Sequence, residues 1–166
     1  RLRQLAESSL VQVLDAGRDE RRFGLLETIR EFAQQVLRAS GEEAAIREAH
    51  AHYMSALAGE SFRRLVGAEQ VGWIARTARE QDNFRAALRW TLEARAARPE
   101  LGLRLAVALW QFWDTHNYLN EGSRWLERAL RGGNASPAVR AKALNGAGWM
   151  AWVQGDGRAI ALLEES

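Results

Sequence analysis

Two stretches near the end of this chain repeat one another, and no other feature limits the fold as much. Leu126 stands 37 residues before Leu163, and Asn117 stands 38 before Gly155. WLERA at 125–129 answers LLEES at 162–166, and each copy has an inner segment with tryptophans three apart, Trp110/Trp113 and Trp149/Trp152. A helix pair of this size cannot bury its apolar face alone and must stack on neighbours. The period therefore predicts a mainly α chain ending in an α-α superhelix, with two repeats over 98–166.

The segments before and within the repeats read as helices joined by short turns. Pro99 suits the first turn of a helix, where its missing N–H costs nothing. That helix, over 101–115, is apolar nearly all round and needs cover on two sides. His116-Asn117 breaks it. Ser136-Pro137 is an N-cap followed by a proline at the first helical position and opens a helix to about Val153, after which Gly155-Asp156-Gly157 turns into the last one. Upstream, Ile29, Phe32, Ala33, Val36 and Leu37 fall at helical spacing from Glu27, and Gly41 is a stop. Further stripes are Ile46, Ala49, Tyr53 and Leu57; Val71, Ile74, Ala75 and Ala78; and Phe84, Ala87, Leu88, Thr91 and Leu92.

Only the first part of the chain reads differently. After a short helix carrying Leu2 and Leu5, the β-favouring runs 10–14 and 22–26 flank a polar, glycine-containing stretch, which predicts a β-hairpin with a loose tip. The expected organisation is 1–40 with the hairpin, a helical connector over 41–97 with Phe84, Leu88 and Trp90 wedged between that first part and the first repeat, and the two repeats over 98–166. Both ends read as cut from a longer chain, and the last helix pair, lacking a polar cap, is a candidate for self-association.

Composition removes several kinds of chemistry. The chain has no cysteine, hence no disulfide, thiolate metal site or cysteine nucleophile, which suits the cytoplasm. Its net charge of +2 gives no electrostatic case for nucleic-acid binding. No apolar run is long enough to span a bilayer. The GxxxxGK[ST] of a phosphate-cradling P-loop is missing, since Lys142, the sole lysine, is followed by alanine and preceded by no glycine loop. His50 and His52, two apart on a helix, point to different sides and cannot chelate together. His116 lies in a repeat turn without a serine or aspartate at triad spacing.

RFGLLETIREFA at 22–33, EQDNFRAALRW at 80–90, GAGWMAWVQGD at 146–156 and LLEES together resemble bacterial signal-transduction ATPases of the STAND (NB-ARC-like) type, many of them transcriptional regulators. In that family a nucleotide-binding domain and a winged helix precede tetratricopeptide-like repeats, often beside a DNA-binding or cyclase domain. The resemblance implies that 1–40 is the C-terminal half of the winged helix, with the hairpin as wing. It also implies that Leu26 and Glu27 occupy the family's nucleotide-sensor motif, where a histidine commonly meets phosphate. Leucine has no donor for that task. The 38-residue period exceeds the ~34 of a tetratricopeptide repeat, and Gly157 stands near a position often held by tyrosine.

Candidate sites follow from these readings. Arg18, Arg21 and Arg22 in the wing are positioned to touch DNA phosphates, but Asp15, Asp19 and Glu20 offset them, so a solvated loop is expected. Trp110, Trp113, Trp149 and Trp152 are candidates for lining a ligand or partner groove, although aromatics at helical spacing in stacked repeats are more often core. Arg63-Arg64, Arg76 and Arg79 read as solvated faces. The expectation is a segment without catalytic residues, cofactor or metal, which binds a protein or small-molecule effector and makes no direct contact with nucleic acid or membrane. The alternative is a free-standing repeat scaffold for protein assembly, which would have no use for residues 1–40.

Overall fold

The computed structural model describes residues 2–15, 21–65, 67–93, 98–132 and 135–166. The fold is mainly α with one two-stranded antiparallel hairpin. The chain divides into two compact units, 1–45 and 46–166. No described helix is long and apolar enough to cross a membrane.

The first unit opens with helix α1 (Leu2–Glu7), which stops where Ser9 takes a positive φ of 57°. The amides of Leu10 and Val11 turn back to the carbonyl of Leu5, at 3.0 and 3.2 Å. They are thereby lost to the sheet. The ladder starts only at Gln12, so β1 (Gln12–Asp15) pairs with β2 (Arg21–Gly24) nearer the tip than the two apolar runs imply. The tip itself, 16–20, lies outside the described residues. Helix α2 (Glu27–Ser40) follows and ends at Gly41, whose φ of 77° is the left-handed stop expected there. Its periodic apolar face is not a core face: Phe32 and Val36 are exposed and no residue of α2 is buried.

Helix α3 (Glu43–Arg64) leads into the second unit, where it is followed by α4 (Gln70–Arg79), α5 (Gln81–Glu93), α6 (Pro99–Thr115), α7 (Leu119–Leu130), α8 (Pro137–Val153) and α9 (Ala159–Glu165). The stripe expected on α3 is corrected. Ile46 and Tyr53 are exposed, and the buried set is Ala51, Met54, Ala58 and Ser61. Apolar residues are spread around this helix, so periodicity selects no side, and the small side chains let it lie close to the core. On α4 the expected stripe also fails: Val71 is exposed and Thr77 is buried. The Thr77 hydroxyl donates to the Trp73 carbonyl at 2.7 Å, leaving its oxygen to accept from the buried Ser61 hydroxyl. That polar link between α3 and α4 sets the inward side.

Helix α5 buries Phe84, Ala87, Leu88, Trp90 and Thr91, close to the stripe read from sequence. Helix α6 buries Leu103, Leu105, Ala106, Leu109, Phe112 and Trp113 and packs against α5, α7 and α8. It is thus covered on more than one side, as its composition requires. Helices α7, α8 and α9 continue as neighbours in order, α8 packing on α7 and α9 on α8. Gly122 makes one of these approaches possible, because a Cβ there would stand 2.8 Å from Met150 Cε and 2.9 Å from Trp113 Cε3. Ser136 precedes Pro137 in extended backbone, yet its hydroxyl makes no capping bond.

Ion pairs tie α5 to α7: Arg128 meets Glu93 at 2.8 Å, and a second pair is bidentate. Arg85 reaches Glu121 through two parallel bonds of 2.7 Å, and Glu121 also accepts from the Trp125 indole N–H at 3.3 Å. The Arg85 bonds, more than any other influence, hold the Glu121 carboxyl below its ordinary value of 4.5. A group whose folded pKa is lowered contributes stability above its ordinary pKa and loses it as pH falls through the folded one.

Two outcomes follow from this packing. Phe84→Ala is expected to cost about 3–5 kcal/mol in chemical denaturation, since Phe84 is fully enclosed; a loss under ~1 kcal/mol would contradict that burial. Glu121→Gln is expected to cost about 1.5–3 kcal/mol at neutral pH, the range for hydrogen bonds to charged groups. The difference from the unmodified chain should shrink steadily as pH is lowered below 4.5, and urea titrations at several pH values measure it.

Candidate functional site

Three helices of the second unit, α3, α6 and α8, border one cavity of about 750 Å³. Helical spacing puts them there. Ala58 and Ser61 of α3, Leu103 and Ala106 of α6, and Ala143 and Ala147 of α8 are in the core. The positions next to them, Phe62 and Arg63, Arg104 and Trp110, Lys142 and Asn145, are turned to the cavity. A smaller hollow of about 360 Å³ is bordered by Trp110, Gln111, Asp114 and Trp149, with Leu65 and Ile74. Trp110 is common to both. It can lie flat against α8 because residue 146 is glycine; a Cβ there would be 3.1 Å from Trp110 Cγ.

The four tryptophans named from sequence part company. Trp110 is half-buried and, with Trp149, lines the smaller hollow. Trp113 is 1% exposed and is corrected from groove to core, where it packs over Gly122. Its indole N–H is the one buried side-chain polar atom without a partner among the described residues. Trp149 and Trp152 are 42% and 62% exposed, with ring centroids 5.3 Å apart and planes at 42°. Core packing therefore fails for both. Trp152 borders neither hollow.

The other candidates fall elsewhere. Leu26 is exposed at the start of α2 and makes no capping bond, and Glu27 pairs with Arg30 at 2.5 Å on the surface. Of the wing arginines, Arg22 is half-buried, Arg18 lies outside the described residues, and the side chain of Arg21 is likewise outside them. His50 is half-buried, its pKa lowered chiefly by burial and then by Arg47. His116 stacks on Phe112 at 4.5 Å and 6° and bonds to the Thr115 hydroxyl at 2.8 Å. Among the described residues no group of three or more His, Asp or Glu side chains is placed to hold a metal ion. Arg64 and Arg76 are not merely solvated: both lie over the Trp73 ring, at 5.5 and 5.0 Å from its centre.

Sequence reading missed Arg104 and Lys142, and it placed Arg63 on a solvated face. A signal for the first two was present, because Arg104 is the lone cation of the largely apolar α6, and Lys142 stands with only Arg140 in the largely apolar α8. A cation interrupting such a helix must face an opening, since burial without a partner is costly.

No family model matches the chain, and no solved structure matches it. The chain is 35% identical over 145 residues to proteins of Mycobacterium tuberculosis and Mycobacterium bovis that bear the name "Putative HTH-type transcriptional regulator". The alignment takes in 84% of this chain and 16% of each of those proteins. The chain thus spans about a sixth of the length of the curated relatives it matches, and it is a distant homologue of that part of them.

The separation of the tryptophans is measurable. Trp113→Ala is expected to destabilise by about 3–5 kcal/mol, the cost of emptying a buried aromatic site. Trp152→Ala should change stability by no more than about 0.5 kcal/mol. Denaturation curves of the two variants check the pair.

Proposed function

We propose that this chain is a non-catalytic regulatory segment of a longer signal-transduction ATPase of the STAND type, in which stacked helix pairs bind an effector and pass its occupancy to the rest of the protein. The observation that carries this reading is the cavity bordered by α3, α6 and α8. Three helices of the unit contribute to it, so a ligand held there would bind them to one another and favour one arrangement of the stack. Likeness to proteins named as transcriptional regulators supports a regulatory role. The motif resemblance at 22–33 and 80–90 supports the narrower assignment to ATPases with a winged helix over 1–40 and tetratricopeptide-like repeats over 98–166.

On this reading the nucleotide site belongs to another part of the protein, because the present residues include no P-loop. Leu26 and Glu27 stand at the start of α2, where backbone amides are available to phosphate, but neither side chain donates to it. The segment acts in the cytoplasm and touches neither DNA nor membrane. Its contribution is binding, and its output is carried by the domains around it.

Calorimetry with ATP and ADP separates these roles. The intact protein is expected to bind nucleotide, and the 166-residue segment is expected not to. Affinity of about 1 μM or tighter for the segment alone, some −8 kcal/mol, would refute the division of labour. So would an intact protein that lacks a P-loop.

A further inference from the structure

The cavity bordered by α3, α6 and α8 is lined by both basic and apolar side chains. Arg63, Arg104 and Lys142 come to it from three different helices; Ser166, following α9, lines it too, and no aspartate or glutamate side chain does. Their agreement in sign is not a by-product of one helix face. Two of the three charges are partly met: Arg63 pairs with Glu60, and Arg104 with Glu100 at 2.7 Å. Both partners are one turn back on the same helix and both pairs are largely exposed, so each contributes little and is easily exchanged for a better anion. Lys142 has no hydrogen-bond or ion-pair partner among the described residues. Beside it, one turn along α8, Asn145 offers an amide. The same helices bring apolar groups to the lining, Val107 and Trp110 on α6 and Val139 on α8, and Trp110 packs against Gly146.

A site of this kind selects for both halves of a ligand. An ionised oxygen group beside Lys142 and Arg104 gains charge-assisted bonds, and an apolar body laid on Trp110 and Val107 gains burial. The volume of about 750 Å³ falls within the range of small-molecule sites. We propose that this cavity binds a small organic anion, a carboxylate or phosphate monoester carried on a ring-sized apolar body, with Lys142 and Arg104 holding the charge and Trp110 the ring. The proposal rests on the effector-binding reading above and narrows it to a chemical class. Lys142 supplies the recognition that a neutral ligand of the same shape would not use.

Matched probes test the charge directly. Naphthalene-2-carboxylate, 2-naphthyl phosphate and naphthalene-2-carboxamide share one ring system and differ in charge, and calorimetry with the 166-residue chain at low salt compares them. The two anions are expected to bind about tenfold more tightly than the amide. That preference should fall to about threefold or less in Lys142→Met and likewise at ~0.5 M salt, where exposed charges are screened. Trp110→Ala should weaken all three probes. Lys142 is exposed, so its variant should fold, and a thermal melt verifies it. Because Lys142 is the only lysine, a second readout is available: the anions should slow acetylation of its amine, read on the proteolytic peptide that contains it and so apart from the chain's α-amino group, and the amide should not. Equal affinity for all three probes would overturn the proposal, as would an anion preference untouched by Lys142→Met. Tighter binding of an acidic peptide than of any probe would overturn the small-ligand assignment. No heat from any probe at millimolar concentration would also overturn it, while the broader reading, which requires only some effector, would stand.

Discussion

Helix α6 is apolar on almost every side, and a helix of that kind is stable in water only when neighbours surround it. Leu105, Ala106 and Leu109 are fully enclosed, and α5, α7 and α8 supply the enclosure. Much else in the second unit follows from this demand. Helix α5 must present Phe84 and Leu88, α7 must present Leu126 and Ala129, and α8 must present Ala143, Ala147 and Met150, because these are the surfaces that close on α6 and its neighbours. The chain turns that bring them round are short, as helix-on-helix stacking requires.

Close approach, more than bulk, makes the stack possible. Glycine at 122 and 146 stands where a methyl group would meet Met150, Trp113 or Trp110. Alanine and serine do similar work on α3. Polar links lie at the seams, among them Ser61 with Thr77 between α3 and α4, and Arg85 with Glu121 between α5 and α7. Each satisfies groups that burial would otherwise leave unpaired, and each orients one helix about its axis in a way apolar packing alone does not.

The cavity is a consequence of the same packing. Where α3, α6 and α8 turn their core residues toward one another, the residues a step away on each helix are left around an opening, and Arg63, Arg104 and Lys142 are among them. The candidate site is therefore built from positions that look unremarkable in isolation. Arg63 belongs to a basic pair, Arg104 to a turn of α6 with Glu100, and Lys142 to a run of small residues. Only their convergence gives them chemistry in common.

Much of the fold was legible in the sequence: the helix ends at Gly41 and His116, the starts at Pro99 and Pro137, the hairpin, the covering of α6 on more than one side and the inward face of α5. These depend on local stereochemistry and on hydrophobic period, which neighbouring residues carry between them. The inward faces of α3 and α4 were not legible, since α3 has apolar residues on all sides and α4 is oriented by a hydroxyl pair sixteen residues apart in sequence. Nor was the division among the tryptophans. Trp110 and Trp113 have the same spacing as Trp149 and Trp152, yet Trp113 is core, Trp110 is half-buried, and Trp149 and Trp152 are both exposed. Period says that a side chain lies on a face; which neighbour covers that face is a fact of three dimensions. The sequence by itself determined the helices and the need to stack them, because those follow from backbone geometry and water. The tertiary structure alone decided which cations meet and which tryptophan they share, because that depends on how far each helix is rotated against the next.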